Sequence, residues 1–137
     1  MAKGRPQGLG HILVVEDDAV LALSLEAALL DAGANQVDIV SNTAAALKAL
    51  CKGRPDTLVL DVHLADRDDG WAIAELVETV GTNQPRIIFQ TGSPQDIPDA
   101  IARLGKVLVK PYDPQELIAL AEAPAKPGFL ARLRRRS

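Results

Sequence analysis

Aromatic residues, cysteine and long apolar runs are scarce in this chain of 137 residues. One Trp, one Tyr and two Phe leave few side chains for stacking on the bases of single-stranded nucleic acid. The single cysteine, Cys51, excludes a disulfide within the chain. No apolar run reaches the length of a membrane span, and residues 1–10 lack the apolar region of a signal peptide. We therefore expect a cytoplasmic protein with no membrane association.

Hydrophobic residues make up 47% of the chain, which is enough to build the core of one domain of ordinary size. The formal net charge is −3, but residues 124–137 hold Lys126 and four arginines with no acid. The rest of the chain is therefore acidic, and an acidic surface repels phosphate backbones. We expect a flexible N-terminus over residues 1–9, a folded domain over residues 10–123 that does not bind nucleic acid, and a basic tail over residues 124–137. That tail is either solvated or a short amphipathic helix for an acidic partner or an anionic membrane.

Short apolar runs of strand length alternate with helical patterns along the chain. The runs span residues 11–15, 37–40, 57–60, 86–90 and 106–109. Strands that alternate with helices predict a parallel sheet covered on both faces, which is a doubly wound α/β fold. In such sheets the functional residues gather beyond the carboxyl ends of the strands.

Helix boundaries are also visible in the sequence. The first amphipathic pattern ends at Gly33, the second follows Ser41 as a candidate N-cap, and the third is closed by Gly81. Asp113, followed by Pro and a Glu three residues later, predicts a capping box at the last helix. The fourth helix can start at Ser93-Pro94, but Pro98 either limits it to about residues 99–104 or kinks it.

Polar residues stand at the carboxyl ends of four of these strands. Glu16 and Asp17 follow the first strand, Asp61 ends the third, Thr91 ends the fourth and Lys110 follows the fifth. Any one of them could be a helix cap or a turn residue. Together they would bring acids, a hydroxyl and an amine to one edge of the sheet, which indicates a functional site.

The motifs Leu13-Val14-Val15-Glu16-Asp17-Asp18, Leu58-Val59-Leu60-Asp61, Phe89-Gln90-Thr91-Gly92 and Val109-Lys110-Pro111-Tyr112 resemble, in this order, those of response regulator receiver domains. The resemblance covers residues 10–123. It implies a flavodoxin-like (βα)5 fold with a five-stranded parallel sheet in the order 2-1-3-4-5. It also implies a role for each site residue: Asp61 as phospho-acceptor, Glu16, Asp17 and Asp61 as metal ligands with the main-chain carbonyl of His63, Thr91 as the hydroxyl that senses the phosphoryl group, and Lys110 as its counter-ion.

The chemistry independently requires these residue types. Neighbouring carboxylates repel one another, and a carboxylate that attacks phosphorus meets a negatively charged donor, so a cation is needed. An oxygen-only site with few protein ligands suits Mg²⁺, with Mn²⁺ as a substitute. The product would be an aspartyl phosphate.

We expect a stand-alone receiver in a two-component phosphorelay, because only one helix and a tail follow Lys110. Its phosphoryl donor would be a sensor histidine kinase or a histidine phosphotransfer protein, and it would signal by phosphorylation-dependent contact with an output protein. It would catalyse only its own phosphorylation and dephosphorylation, so it is not an enzyme in the usual sense. The alternatives are a phosphoryl shuttle or sink, and the receiver portion of a larger regulator.

Several positions depart from the family pattern. The first acid is Glu16 where Asp is commoner, and the loop over residues 62–70 is one residue longer than usual. Val107 replaces the aromatic residue that usually precedes the lysine by three positions. Residues 89–92 are similar to a subgroup with a Phe-Ala-Thr-Gly-Tyr motif, which also lacks that aromatic residue.

Two other classes use acids after strands. A haloacid-dehalogenase-type hydrolase needs a second acid two residues after its nucleophile, and that position here is His63. A metal-dependent nucleic-acid enzyme of the toprim type would use Glu16 with Asp66 and Asp68, but those later acids fall well past the strand. Both therefore fit less well than a receiver.

Overall fold

The computed structural model describes residues 8–62, 73–74, 77 and 85–123, which form a five-stranded parallel sheet with helices packed on it. The strands are β1 (Gly10–Val15), β2 (Ala34–Val40), β3 (Thr57–Asp61), β4 (Arg86–Thr91) and β5 (Lys106–Val109). The helices are α1 (Ala19–Asp31), α2 (Thr43–Lys52), α3 (Asp99–Ala102) and α4 (Pro114–Glu122), with a 3₁₀ turn at Pro94–Asp96. Ile73, Ala74 and Val77 are also helical, whereas Gly81 lies outside the described residues.

The strand order β2-β1-β3-β4-β5 confirms the predicted flavodoxin-like topology. β5 has the predicted bounds, and β3 and β4 each run one residue further, to Asp61 and Thr91. β2 begins at Ala34, three residues before the predicted run, because Ala34 and Gln36 also pair with β1. Pairing on an edge strand does not require an apolar side chain, so hydrophobicity alone misses this start.

The core has two layers, one on each face of the sheet. Alternate residues of β1 point to opposite faces, so Leu13 and Val15 join one cluster and Ile12 and Val14 join the other. The first cluster includes Ala46 of α2 with Ile73, Ala74 and Val77, and the second includes residues of α1 and α4. Every residue of the central strand β3 is buried. This is the double winding that the sequence predicts.

Side chains cap three of the helices. Asp18 accepts bonds from the first turn of α1, and Asp113 forms the predicted capping box of α4. The N-cap of α2 is Asn42, so the prediction of Ser41 is wrong. Asn42 Oδ1 accepts from the Ala45 amide at 2.8 Å, and Ser41 stands one residue too early for such a bond.

The segment between β4 and β5 is built from short turns. α3 ends at Ala102, two residues before the predicted limit, and no side chain caps it at Pro98. Gly105 then allows β5 to begin close to β4, since a Cβ at this position would lie 2.1 Å from the Ile87 carbonyl oxygen. Among the described residues, no helix is both long and apolar enough to cross a membrane.

Candidate functional site

The hydrogen-bond ladder of the sheet brings four strand ends together at one edge. Glu16 follows β1, Asp61 and Thr91 end β3 and β4, and Lys110 follows β5. The Glu16 amide donates to the Val40 carbonyl at 3.0 Å, and the Lys110 amide donates to the Thr91 carbonyl at 2.8 Å. The backbone therefore fixes these residues before any side chain contributes.

Lys110 bridges two buried acids. Its Nζ donates to Glu16 Oε1 at 2.9 Å and to Asp61 Oδ2 at 3.1 Å. The Glu16 and Asp61 side chains are almost inaccessible to solvent, while the Lys110 side chain keeps 26% of its exposure. One ammonium thus faces two carboxylates, and the pair of acids holds more charge than the lysine neutralises.

Asp17 completes an acidic cluster with Glu16 and Asp61. One oxygen from each of the three carboxylates lies within 4.8 Å of the others. Asp17 is exposed and the other two are buried, so the cluster opens to solvent on the Asp17 side. Three carboxylate oxygens at this spacing fit a hard divalent ion such as Mg²⁺ or Mn²⁺.

The environment shifts the protonation of two of these groups. Burial raises the pKa of Glu16, and the Asp61 charge adds to this effect, although the Asp18 amide and Lys110 oppose it. Burial alone would lower the pKa of Lys110, but its hydrogen bonds and charge interactions with Glu16 and Asp61 outweigh burial and raise it. Lys110 therefore remains an ammonium ion at neutral pH.

Thr91 is fully buried at the end of β4. Its Oγ1 accepts from the Ser93 amide at 2.9 Å, which orients the side chain at the start of the following turn. A hydroxyl that accepts one hydrogen bond still has a proton to donate. Thr91 is therefore placed at the edge of the site with a hydroxyl proton that it could donate to an added acceptor group.

Gln90 and Tyr112 belong to the same network, and the sequence analysis did not single them out. Gln90 is fully buried, and its Nε2 donates to Glu16 Oε1 at 2.8 Å. The Tyr112 hydroxyl donates to Gln90 Oε1. Burial raises the pKa of Tyr112, and the charges of Glu16 and Asp61 raise it further, so this phenol stays protonated. A carboxamide inside an apolar strand was the available signal, since a buried polar group needs partners.

Some predicted features lie outside the described residues. These are the His63 carbonyl, the rest of the loop through residue 70, and both chain ends, residues 1–7 and 124–137. The structure places Glu16, Asp17, Asp61 and Lys110 together, with Thr91 at the same edge.

A family model described as the response regulator receiver domain matches residues 12–122. The transcriptional regulatory protein PcoR of Escherichia coli is 33% identical over 113 residues, which cover 80% of this chain and 48% of PcoR. The DNA-binding transcriptional regulator NtrC of Escherichia coli K12 is 32% identical over 115 residues, which cover 82% of this chain and 24% of NtrC. The chain thus spans half or less of the length of these curated relatives.

Solved structures agree in fold. A CheY-like receiver domain from Methylobacillus flagellatus has a TM-score of 0.73 at 24% identity, with 85% of this chain and 100% of that chain covered. The receiver domain of the sensor histidine kinase PA1611 from Pseudomonas aeruginosa has a TM-score of 0.69 at 24% identity, over 82% of this chain and 93% of its own. That structure holds a magnesium ion in its active site cleft.

Proposed function

The chain belongs to the response regulator receiver family, and on that premise we propose that Asp61 accepts a phosphoryl group in a Mg²⁺-dependent reaction. The donor would be a sensor histidine kinase or a histidine phosphotransfer protein. The phosphorylated chain would then signal by contact with an output protein. Receiver domains are signalling domains of two-component systems rather than classical enzymes. We propose a cytoplasmic location on the same premise.

The observation that carries this proposal is the Lys110 bridge between Glu16 and Asp61. Asp61 ends β3, a strand that is buried along its whole length, so its carboxylate is held at the sheet edge by well-packed backbone. Lys110 keeps a positive charge beside it. A carboxyl group in this setting is a nucleophile with a fixed position beside a cation, as phosphoryl transfer requires.

In the proposed reaction, an Asp61 carboxylate oxygen forms a bond to phosphorus. The bond from phosphorus to the donor's leaving atom breaks, and that atom keeps the electron pair. The Lys110 ammonium faces the phosphoryl oxygens and stabilises the charge that spreads over them. The Thr91 hydroxyl donates to a phosphoryl oxygen once the group is attached.

Glu16, Asp17 and Asp61 would hold the divalent ion, with the His63 main-chain carbonyl as a further ligand. When bound, this ion neutralises the negative charge of the acids and of the incoming phosphoryl group. Asp17 lies on the exposed side of the cluster, where the ion and the donor would arrive.

The surface beside the acids supports a protein donor. α1 begins two residues after Asp17, and its outer face exposes Val20 and Leu23, which are 79% and 62% accessible. Exposed apolar side chains next to a charged cluster are typical of a contact surface between proteins. We therefore propose that the donor docks on α1 while it delivers the phosphoryl group to Asp61.

A second candidate function is that this chain is the receiver portion of a larger regulator. It is favoured because the aligned residues cover only 48% of PcoR and 24% of NtrC. A phosphoryl shuttle would use the same site. In either case we propose residues 10–123 as the receiver domain, with a basic tail after it. Leu9, which was predicted to belong to a flexible N-terminus, is instead buried in the second core cluster. Family membership favours these candidates over the dehalogenase and toprim types.

We further propose that activation moves residues 93–104. Val107, which packs against the first core cluster, has no ring that could follow Thr91 inward. The short α3 helix and the 3₁₀ turn before it have few hydrogen bonds to lose. Together with the motif over residues 89–92, this fits the Phe-Ala-Thr-Gly-Tyr subgroup. Increased amide protection over residues 93–104 on addition of beryllofluoride is expected, and unchanged protection there would contradict this route.

Labelling with acetyl phosphate tests the proposed function. With Mg²⁺ present, mass spectrometry should find one phosphoryl group on Asp61. Asp61→Asn, or a chelator, should abolish it. Asp38→Asn is the matched control, since Asp38 is a carboxylate on β2 that binds His11 instead of the site lysine. A label that persists in Asp61→Asn would refute the assignment.

A further inference from the structure

Gln90 is a fully buried polar side chain near the carboxyl end of β4. It lies on β4 between the buried residues Phe89 and Thr91, with no accessible surface. A buried carboxamide is costly unless its oxygen and nitrogen both find partners. In Gln90 both atoms have partners, which are Glu16 of the candidate ion site and Tyr112, two residues after Lys110.

The two partners also fix which way the amide points. Nε2 donates to the Glu16 carboxylate at 2.8 Å, and Oε1 accepts from the Tyr112 hydroxyl. A reversed amide would set its oxygen against a carboxylate, which repels it. The carboxamide therefore has one orientation, and it presents an N–H to Glu16.

All of the Glu16 carboxylate is held by the protein. Oε1 accepts from Gln90 and from Lys110 at 2.9 Å, and Oε2 accepts from the Asp18 amide at 2.9 Å. Lys110 is shared with Asp61, so it is the partner that a phosphoryl group on Asp61 would draw away. The Gln90 side chain bonds to Glu16 and Tyr112, so its hold on Glu16 does not depend on Lys110.

We propose that Gln90 is a positioning residue for the ion site, which sets the orientation of the Glu16 carboxylate for a divalent ion. Tyr112 is the second member of this arrangement, because its hydroxyl holds the carboxamide from the segment after Lys110. The inference rests on the proposed Mg²⁺ site. In this inference, Gln90 orients the ligand Glu16 without touching the ion itself. Loss of a hydrogen-bond partner of this kind typically weakens metal binding about 10- to 100-fold.

Gln90→Met tests the role, since Met has a similar volume and no hydrogen-bonding amide. Calorimetry on the unphosphorylated protein should show the Mg²⁺ dissociation constant raised about tenfold. Labelling by acetyl phosphate at saturating Mg²⁺ should be largely retained. Only the Mg²⁺ concentration that gives half-maximal labelling should rise. Gln36→Met is the matched control: Gln36 is exposed on β2 and donates to Asp38, and its loss should leave Mg²⁺ affinity unchanged.

Tyr112→Phe provides the second test, because it removes one oxygen and preserves the ring. It should weaken Mg²⁺ binding a few-fold, and adding it to Gln90→Met should have little further effect, as expected for residues that act through one another. Side-chain amide signals of Gln90 in nitrogen NMR spectra should exchange with water faster in Tyr112→Phe than in wild type, both in chelator.

Three results would overturn the inference. One is an unchanged Mg²⁺ dissociation constant in Gln90→Met together with a lowered melting temperature in chelator, which indicates a packing role only. Another is full additivity of the two substitutions. If Gln90→Met does not fold, an unchanged Mg²⁺ dissociation constant in Tyr112→Phe is the third. The three deciding measurements need no acetyl phosphate, so they remain valid even if Asp61 is not labelled. A failure to label Asp61 would refute the proposed function separately.

Discussion

The two ends of the sheet use the same kinds of charged side chain in different ways. At the amino end, the Asp56 carboxylate accepts from the His11 amide at 2.8 Å, and His11 Nε2 lies 2.7 Å from Asp38 Oδ2. Arg86, at the start of β4, donates to the main-chain carbonyls at the end of α4. Each of these groups completes a local structural bond.

At the carboxyl end, two of the three acids are buried, and the acids outnumber the lysine. Glu16 and Asp61 share one lysine, and Asp17 adds a third carboxylate. The side chains of His11 and Asp38, by contrast, remain 29% and 45% exposed. Acids are present at both ends of the sheet. Only at the carboxyl end are they both buried and in excess over the basic groups, and this combination requires a cation. Substitutions at the amino end should therefore change stability, and those at the carboxyl end should change chemistry.

The largest expected effect separates two residues within the carboxyl end. Lys110→Ala removes the ammonium that faces the transferring group, so labelling of Asp61 by acetyl phosphate should slow about a hundredfold. Thr91→Ala removes a hydroxyl that acts after transfer, so labelling should be largely intact. Rates measured by mass spectrometry compare the two, and equal losses would contradict this division of roles.

At the amino end, Arg86→Met should lower the free energy of unfolding by about 2 kcal/mol. The guanidinium Nη1 donates to the Leu120 and Ala121 carbonyls at 2.6 Å each, in the last turn of α4, where carbonyls run short of partners within the helix. Urea denaturation measures the loss, with the exposed Lys106→Met as control. Asp61 labelling should be unchanged below the transition, and a labelling defect in the folded protein would break the contrast between the two ends.

Ion binding should depend on pH because the pKa of Glu16 is raised by burial. Protons then compete with Mg²⁺ at a higher pH than for an ordinary glutamate, and affinity should fall about tenfold per pH unit below the raised pKa. The stability of the ion-free protein should change with pH in the opposite direction from the Mg²⁺ affinity. A raised folded-state pKa contributes stability below the unfolded pKa, and this contribution is lost as pH rises through the folded value. Calorimetry and thermal melts in chelator at several pH values should show both trends.

Asp61→Asn should stabilise the ion-free protein while it abolishes labelling. Removing one charge from the cluster of three acids reduces their mutual repulsion, for a gain of about 1 kcal/mol in chelator. Mg²⁺ should raise the melting temperature of wild type more than that of the variant. A variant that is less stable than wild type in chelator would show that repulsion does not dominate at this end.

The smallest effect is expected for Asp38→Asn. A partly exposed side-chain hydrogen bond between a histidine and an acid contributes little, so the free energy of unfolding should fall by about 0.5 kcal/mol or less. Denaturation at low and high salt measures it, and screening should reduce the difference further. A loss comparable to that of Arg86→Met would mean that the His11 contact matters more than its exposure suggests.

The sequence predicts the strands, the sheet and the capping box of α4 because apolar runs and local capping patterns are short-range signals. It also predicts that Glu16, Asp61, Thr91 and Lys110 meet, since the topology brings strand ends together. It does not identify Gln90 and Tyr112 as partners, because a hydrogen bond between residues 22 positions apart leaves no local pattern. Asn42 was missed for a smaller reason: Ser and Asn are both good caps, and only the backbone decides which one reaches the amide.

The ladder bond from the Lys110 amide to the Thr91 carbonyl has a consequence for evolution and engineering. Each group at the carboxyl end is attached to a strand whose register is set by its neighbours, so the lengths of the connecting segments are decoupled from the geometry of the site. Insertions after Val62 or within residues 93–104 should change which proteins the domain recognises and leave the spacing of Asp61, Thr91 and Lys110 as it is. New partners can therefore be selected by remodelling the connections alone, without rebuilding the chemistry.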